Sequence, residues 1–296
     1  MKKFPVLWAM FFSLLAVGLT FIGFVITPAI LIMVTIVIYC TAYKTYYFPI
    51  MAAIWAAGVY WIFGFNLMIT LCICSLTLPL ALIMLVCFKL KSHLSTLLVL
   101  SSAAETGIAA LWIYNYTNKI GKTAAELLCQ PMIEAIKQID SSYVGQIEEM
   151  MIPAVDLIFP SMLITGAVLI AYTVFGFSRI FLKKIGLEYK HMPEFDKLHM
   201  NKSQGVVFVI LLILALLFGM ISPVIYNVLS VVSTLFMVCG LSVVCYYLKR
   251  FGTPAYLRVI ICVILIFIMS TFVTPLLFVM GIWDSFKPLR RNIFTI

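Results

Sequence analysis

The stretch FPVLWAMFFSLLAVGLTFIGFVITPAILIMVTIVIYCTAY, residues 4–43, holds 40 residues without one charged side chain. An α-helix needs about 20 predominantly apolar residues to cross the hydrocarbon of a bilayer. The stretch is therefore long enough for two crossings joined by a tight hairpin. Similar apolar runs recur towards the C-terminal end. The chain reads as all-α, a polytopic, multi-pass transmembrane bundle with the lipid bilayer as its first partner.

Composition points the same way. Hydrophobic residues make up 64% and charged residues 10%, against about 45–50% and 25% in soluble domains. A soluble fold is excluded. The net charge of +9 is not a nucleic-acid patch, because most of the charges sit at the ends of apolar runs. Positive-inside topology puts them there, and a basic inner face suits anionic headgroups. No nucleic-acid partner is expected. Met1-Lys2-Lys3 before an apolar run imitates a signal peptide. The run is too long for a signal's apolar region and no clear A-x-A site closes it, so an uncleaved first helix is expected.

Charges and polar clusters cut the chain into spans at 5–22, 25–43, 48–65, 67–88, 94–115, 153–182, 205–222, 226–248 and 257–282. With the N-terminus cytoplasmic, fourteen Lys and Arg fall inside. Only Lys119, Lys122 and Lys137 fall outside. The bias sets the orientation. Lys287, Arg290 and Arg291 spoil the tally if there are nine spans. The last run is too short for two full crossings, but it could break at Thr274-Pro275 and turn back. Eight or nine spans are expected, with the side of the C-terminus open. The organisation is then a six-helix bundle over 1–182, a cytoplasmic connector over 183–204, and C-terminal helices with a basic tail over 205–296.

The polar segment 116–152 is predicted external. Leu128, Met132, Ile136 and Ile139 recur at helical spacing after Pro131, a good first helical position. They predict a short amphipathic helix in the outer interface, either a plain loop or a lid over a site. The connector 183–204 contains His191, Glu194, Asp196 and His199. Their spacing fits no metal motif, and a solvated linker is expected. All eight cysteines except Cys129 lie in apolar segments, and none forms a C-x-x-C pair. They read as apolar packing residues. No metal and no cofactor is indicated.

Two of the eleven acidic residues fall inside apolar spans, Glu105 and Asp156. A charge at mid-bilayer costs about 2.5–3.5 kcal/mol on insertion scales, so it faces the bundle interior and commonly has a role. Ser101 and Ser102 precede Glu105 by four and three residues and lie near its helical face. The three could line a substrate pocket or a proton site; the alternative is a glutamic acid that hydrogen-bonds a neighbouring helix. Asp156 lies between Pro153 and Pro160. Two prolines invite a distorted helix with free carbonyls, a feature of solute sites; the alternative is a cap at the water interface.

Enzyme motifs are poor. No histidine lies in an apolar span, so intramembrane Ser-His catalysis and H-E-x-x-H sites are not indicated. A P-loop is missing, so an ATP-driven step would need another subunit. No enzyme is expected. Trp8, Trp61, Trp112, Tyr114 and Tyr116 read as interfacial belts. Ala9 and Ser13 begin a small-residue face on the first span that could contact a partner protein.

The C-terminal third resembles the YybS-like family of bacterial membrane proteins, a domain of unknown function also called DUF2232. The resemblance rests on Tyr226-Asn227-Val228, on Gly240-Leu241-Ser242-Val243-Val244, and on Gly281-Ile282-Trp283-Asp284-Ser285-Phe286 with Arg290-Arg291. Met200-Asn201 departs from the proline that relatives often carry there. The family implies little chemistry. It is distantly similar to the substrate-binding S-components of energy-coupling-factor transporters, whose six-helix layout residues 5–182 would match. That likeness implies a transport-related solute binder in the bacterial plasma membrane, with Glu105 and Asp156 as its polar groups. The other reading is a scaffold that works through helix–helix contacts with membrane proteins, as rod-shape MreD-like proteins do. The segment 284–291 is expected to lie along the membrane surface, with Asp284 in an exposed pair with Lys287 or Arg291.

Overall fold

The computed structural model describes residues 45–92, 94–139, 144–184, 195–217, 223–254 and 270–287, with short stretches within 36–41, 186–187, 257–265 and 289–290. Ala9, Ser13 and the first two predicted spans lie outside the described residues, apart from single turns within 36–41. Among the described residues every regular element is helical, with eight α-helices. They are α1 (Phe48–Ile62), α2 (Leu67–Lys89), α3 (Leu94–Ile120), α4 (Ala124–Ile139), α5 (Val144–Lys184), α6 (Lys202–Leu217), α7 (Pro223–Arg250) and α8 (Ser270–Phe286). By length and composition α2, α3, α5 and α7 can each cross a bilayer. Helices α1, α6 and α8 are shorter and apolar.

The described residues fall into two compact units. One joins the chain up to Lys122 with Gly166–Met192. The other joins Thr123–Thr165 with Pro193–Ile296. The first part of α5 thus belongs to the second unit, and its remainder to the first.

In the first unit, hydrogen bonds from indoles tie helices together. Trp55 Nε1 donates to Thr77 Oγ1 at 3.0 Å, linking α1 to α2. Trp112 Nε1 donates to Ser75 Oγ at 2.7 Å, linking α2 to α3. Trp112 is thus an interhelical donor, while Trp61 is exposed. Phe88 of α2 stacks on Phe175 of α5 with ring centroids 5.9 Å apart. Polar cross-links of this kind suit a medium in which apolar burial gives helices little reason to associate.

In the second unit, α6, α7 and α8 meet at three rings. Phe208 lies 5.0 Å from Phe236 and 5.5 Å from Phe278. The outer flank of α6 exposes Val206, Val207, Ile210 and Ile213, as a helix in contact with acyl chains does. Helix α7 ends where Gly252 takes a φ of 77°. Thr253 N then donates to Leu248 O and Gly252 N to Lys249 O, at 3.1 Å each. This is a Schellman stop, and its αL position strains any residue with a Cβ.

Several boundaries differ from the sequence expectation. Helix α3 continues to Ile120 rather than 115. Helix α4 begins at Ala124, not after Pro131, because Thr123 caps it. Thr123 N donates to Glu126 at 2.8 Å, and Glu126 N donates to Thr123 Oγ1 at 3.2 Å. This reciprocal capping box satisfies two donors that a helix start leaves free. Leu128 and Met132 of α4 are exposed while Ala125 and Cys129 are buried. Helix α8 runs through Pro275 without turning back. Helix α5 starts at Val144, so Asp156 lies inside it and caps nothing.

Candidate functional site

Two glycines set the geometry of the second unit. A Cβ at Gly240 would overlap the Leu277 carbonyl, and one at Gly281 would overlap the Phe236 carbonyl. Only glycine allows α7 and α8 to touch backbone to backbone here. The crossing lies two residues before Ser242 and three before Asp284. It brings these two polar groups to the same end of the pair.

Arg290 then folds back onto them. Its Nη2 donates to Asp284 Oδ2 and to Leu198 O, both at 2.6 Å. Its Nη1 donates to Asp196 O at 2.6 Å and to Ser242 Oγ at 3.0 Å. Ser242 Oγ donates to Leu198 O at 2.8 Å. Leu289 N fills the other Asp284 oxygen at 3.0 Å. Asp284 is 1% exposed. The expectation of an exposed Asp284 on a surface-lying tail is therefore wrong. A charge ordinarily ends a span, but here it meets a planar cation whose fork matches a carboxylate.

Asp196 also departs from expectation. The connector is expected to be a solvated linker, yet this aspartate is buried. Its Oδ2 accepts from Lys249 Nζ at 2.6 Å, pinning the connector to the end of α7. Above this network opens a cleft of 820 Å³. Among the described residues no group of three or more His, Cys, Asp or Glu is placed to hold a metal ion.

Asn227 has a further structural part. Its Oδ1 accepts from Ser161 N, and its Nδ2 donates to Leu157 O, both at 2.8 Å. Those are the two groups that an α-helix would join to each other. The amide inserts into α5 beside Pro160, which has no N–H to give. Of the carbonyls expected to be free near the prolines, that of Leu157 is thus taken. Asp156 itself is exposed.

The first unit treats its polar groups differently. Glu105 is 8% exposed and Ser101 is fully buried. Among the described residues Ser101 Oγ, Glu105 Oε2 and Thr106 Oγ1 have no hydrogen-bond partner. Ser102 bonds only the Val99 carbonyl one turn back, at 3.3 Å. Ser178, on the α5 part of the same unit, is also buried without a partner. Ser101, Ser102 and Glu105 share one stretch of α3, as the spacing predicts. Asp156 belongs to the other compact unit.

The network around Arg290 is the part that residue-by-residue reading missed. Asp284 and Arg290 stand six residues apart, a spacing that by itself does not announce a contact. Only a bend after α8 lets the two meet, and hydropathy does not report bends.

The family model described as "Predicted membrane protein (DUF2232)" matches residues 6–285. No curated protein matches the chain, and no solved structure matches it.

Proposed function

We propose that this chain, which belongs to the DUF2232 family of predicted membrane proteins, binds a small-molecule solute within the bilayer as part of a transport process. The unpartnered carboxylate oxygen of Glu105 carries this reading. A buried polar group without a partner costs about 1–3 kcal/mol, and native proteins keep few of them. Ser101 and Glu105 lie one turn apart on α3 with Thr106 next to Glu105, and together they offer donors and acceptors that a polar solute could complete. Ser101 and Thr106 would orient the solute and Glu105 would bind its donor or cationic group. Asp156 is exposed and belongs to the other compact unit, so the reading rests on Glu105. The proposal places the protein in the bacterial plasma membrane with its N-terminus cytoplasmic, as the Lys and Arg bias suggests. It gives the chain no catalytic step of its own. The S-component-like layout of 1–182 belongs to the same proposal.

The experiment is identification of small molecules that co-purify with the protein, compared with Glu105→Gln. The variant should remain folded and lose the retained species. Equal retention in both proteins would remove Glu105 from the site.

One observation favours the scaffold reading. Ala103, Gly107 and Ala110 are exposed along another face of α3, and nothing lies within 4 Å of a Cβ built on Gly107. Small residues on an open face let a second helix approach closely. A Gly107→Leu variant that loses co-purifying membrane proteins and keeps its solute would support that reading.

A further inference from the structure

We propose that the cleft over the Arg290 network binds a phosphate-bearing anion. The proposal is independent of Glu105. The cleft is lined by five cations against two carboxylates, and both carboxylates are already engaged. Asp196 is held by Lys249 and Asp284 by Arg290. Lys197, Lys202 and Arg250 are exposed on the lining, and none of them faces a carboxylate among the described residues. The cleft therefore keeps an uncancelled positive field.

Its wall is polar in a second way. Helix α6 begins at Lys202, with Asn201 before it, and both line the cleft. The first turn of a helix presents N–H groups and positive potential. A phosphate on that turn would meet backbone donors as well as side-chain cations. The volume of 820 Å³ lies inside the range of about 300–1,000 Å³ typical of small-molecule sites.

The position selects the phosphate. The cleft gathers the start of α6 and the ends of α7 and α8, the polar ends of three apolar helices. Phe251 and Trp283 are exposed at this end, 80% and 58%. Such aromatics lie at headgroup level. An anionic phospholipid headgroup enters at this depth, and a soluble phosphate ester offers the same chemistry from the aqueous side. The buried network below holds the cleft's shape, and the rim supplies the charge.

The test uses the full chain in nanodiscs and in detergent. One arm measures retention of phosphatidylglycerol against phosphatidylcholine by native mass spectrometry. The other measures thermal stabilisation of the detergent-solubilised protein by inorganic phosphate. The variant is K197Q/K202Q/R250Q, which leaves the Arg290 network untouched. Loss of three basic groups near an anionic surface should weaken phosphatidylglycerol binding by roughly a hundredfold. Lys202→Glu alone should give most of that loss if the triple variant folds poorly. Selective phosphatidylglycerol retention that the variants lose supports the proposal with a lipid source. Stabilisation by phosphate without lipid preference, again lost in the variants, supports it with a soluble source. Binding of neither probe, or binding that the variants keep, overturns it.

Discussion

Two clusters of buried polar groups, one in each compact unit, are treated in opposite ways. Around Arg290, two nitrogens reach four acceptors, and Asp284, Ser242 and Asp196 all have partners. On α3, Ser101, Glu105 and Thr106 have buried atoms with none. Within the described part of the second unit, Arg258 Nε is the one buried atom left over. The sequence carries a comparable number of polar residues in both places. The difference is that one set is spent on holding the fold and the other is held ready. A satisfied network marks where the structure is built, and an unsatisfied stripe marks where something else must arrive.

The comparison breaks most easily at Asp284. Asp284→Asn leaves the Arg290 charge buried without its carboxylate, a change of about 3–5 kcal/mol. Thermal melting in detergent should show a large drop, with the second unit opening first to protease. A variant as stable as the parent would mean that the tail is not part of the core.

Asn227→Ala comes next. It strips Ser161 N and Leu157 O of their partners, and each such loss costs about 1–3 kcal/mol before relaxation. Part returns if the two groups bond each other along α5. A fall in stability of about 2 kcal/mol in a urea or thermal series is expected. No change would show that the insertion beside Pro160 is incidental. Thr123→Ala removes half of a capping box, with an expected cost of about 1 kcal/mol.

Glu105→Gln should have the smallest effect on stability, and it should raise rather than lower it. The change removes a charge that has no counter-charge and leaves a shape that fits. A melting temperature equal to or above that of the parent is expected. A drop comparable to Asp284→Asn would place Glu105 among the structural groups and erase the contrast between the units.

Legibility followed the physics of each segment. Helices α2 and α7 were predicted at 67–88 and 226–248 and lie at 67–89 and 223–250, because charged or polar residues bound long apolar runs. The stripe Ser101, Ser102 and Glu105 was legible because helical spacing alone puts it on one face. The start of α4 was misplaced because Pro131 was read as a first position, although Pro is tolerated inside α4. The stronger signal was Thr123 with Glu126, a local pattern that competes with proline as a start. The fate of Asp284 and Asp196 could not be read from spacing. Their partners arrive through tertiary folding, from residues 6 and 53 positions away.

The Arg290 network also imposes an order on biogenesis. Ser242 is inserted with α7, and the arginine that bonds its hydroxyl follows 48 residues later. The connector carbonyl at Asp196 precedes that arginine by 94 residues. Translation runs from N- to C-terminus, so α6, α7 and the connector are made before their final lock. The Arg290 contacts can form only once the segment after α8 has emerged. A ribosome that stalls before that segment would release helices able to enter the bilayer but unable to complete their shared core, a natural substrate for membrane quality control.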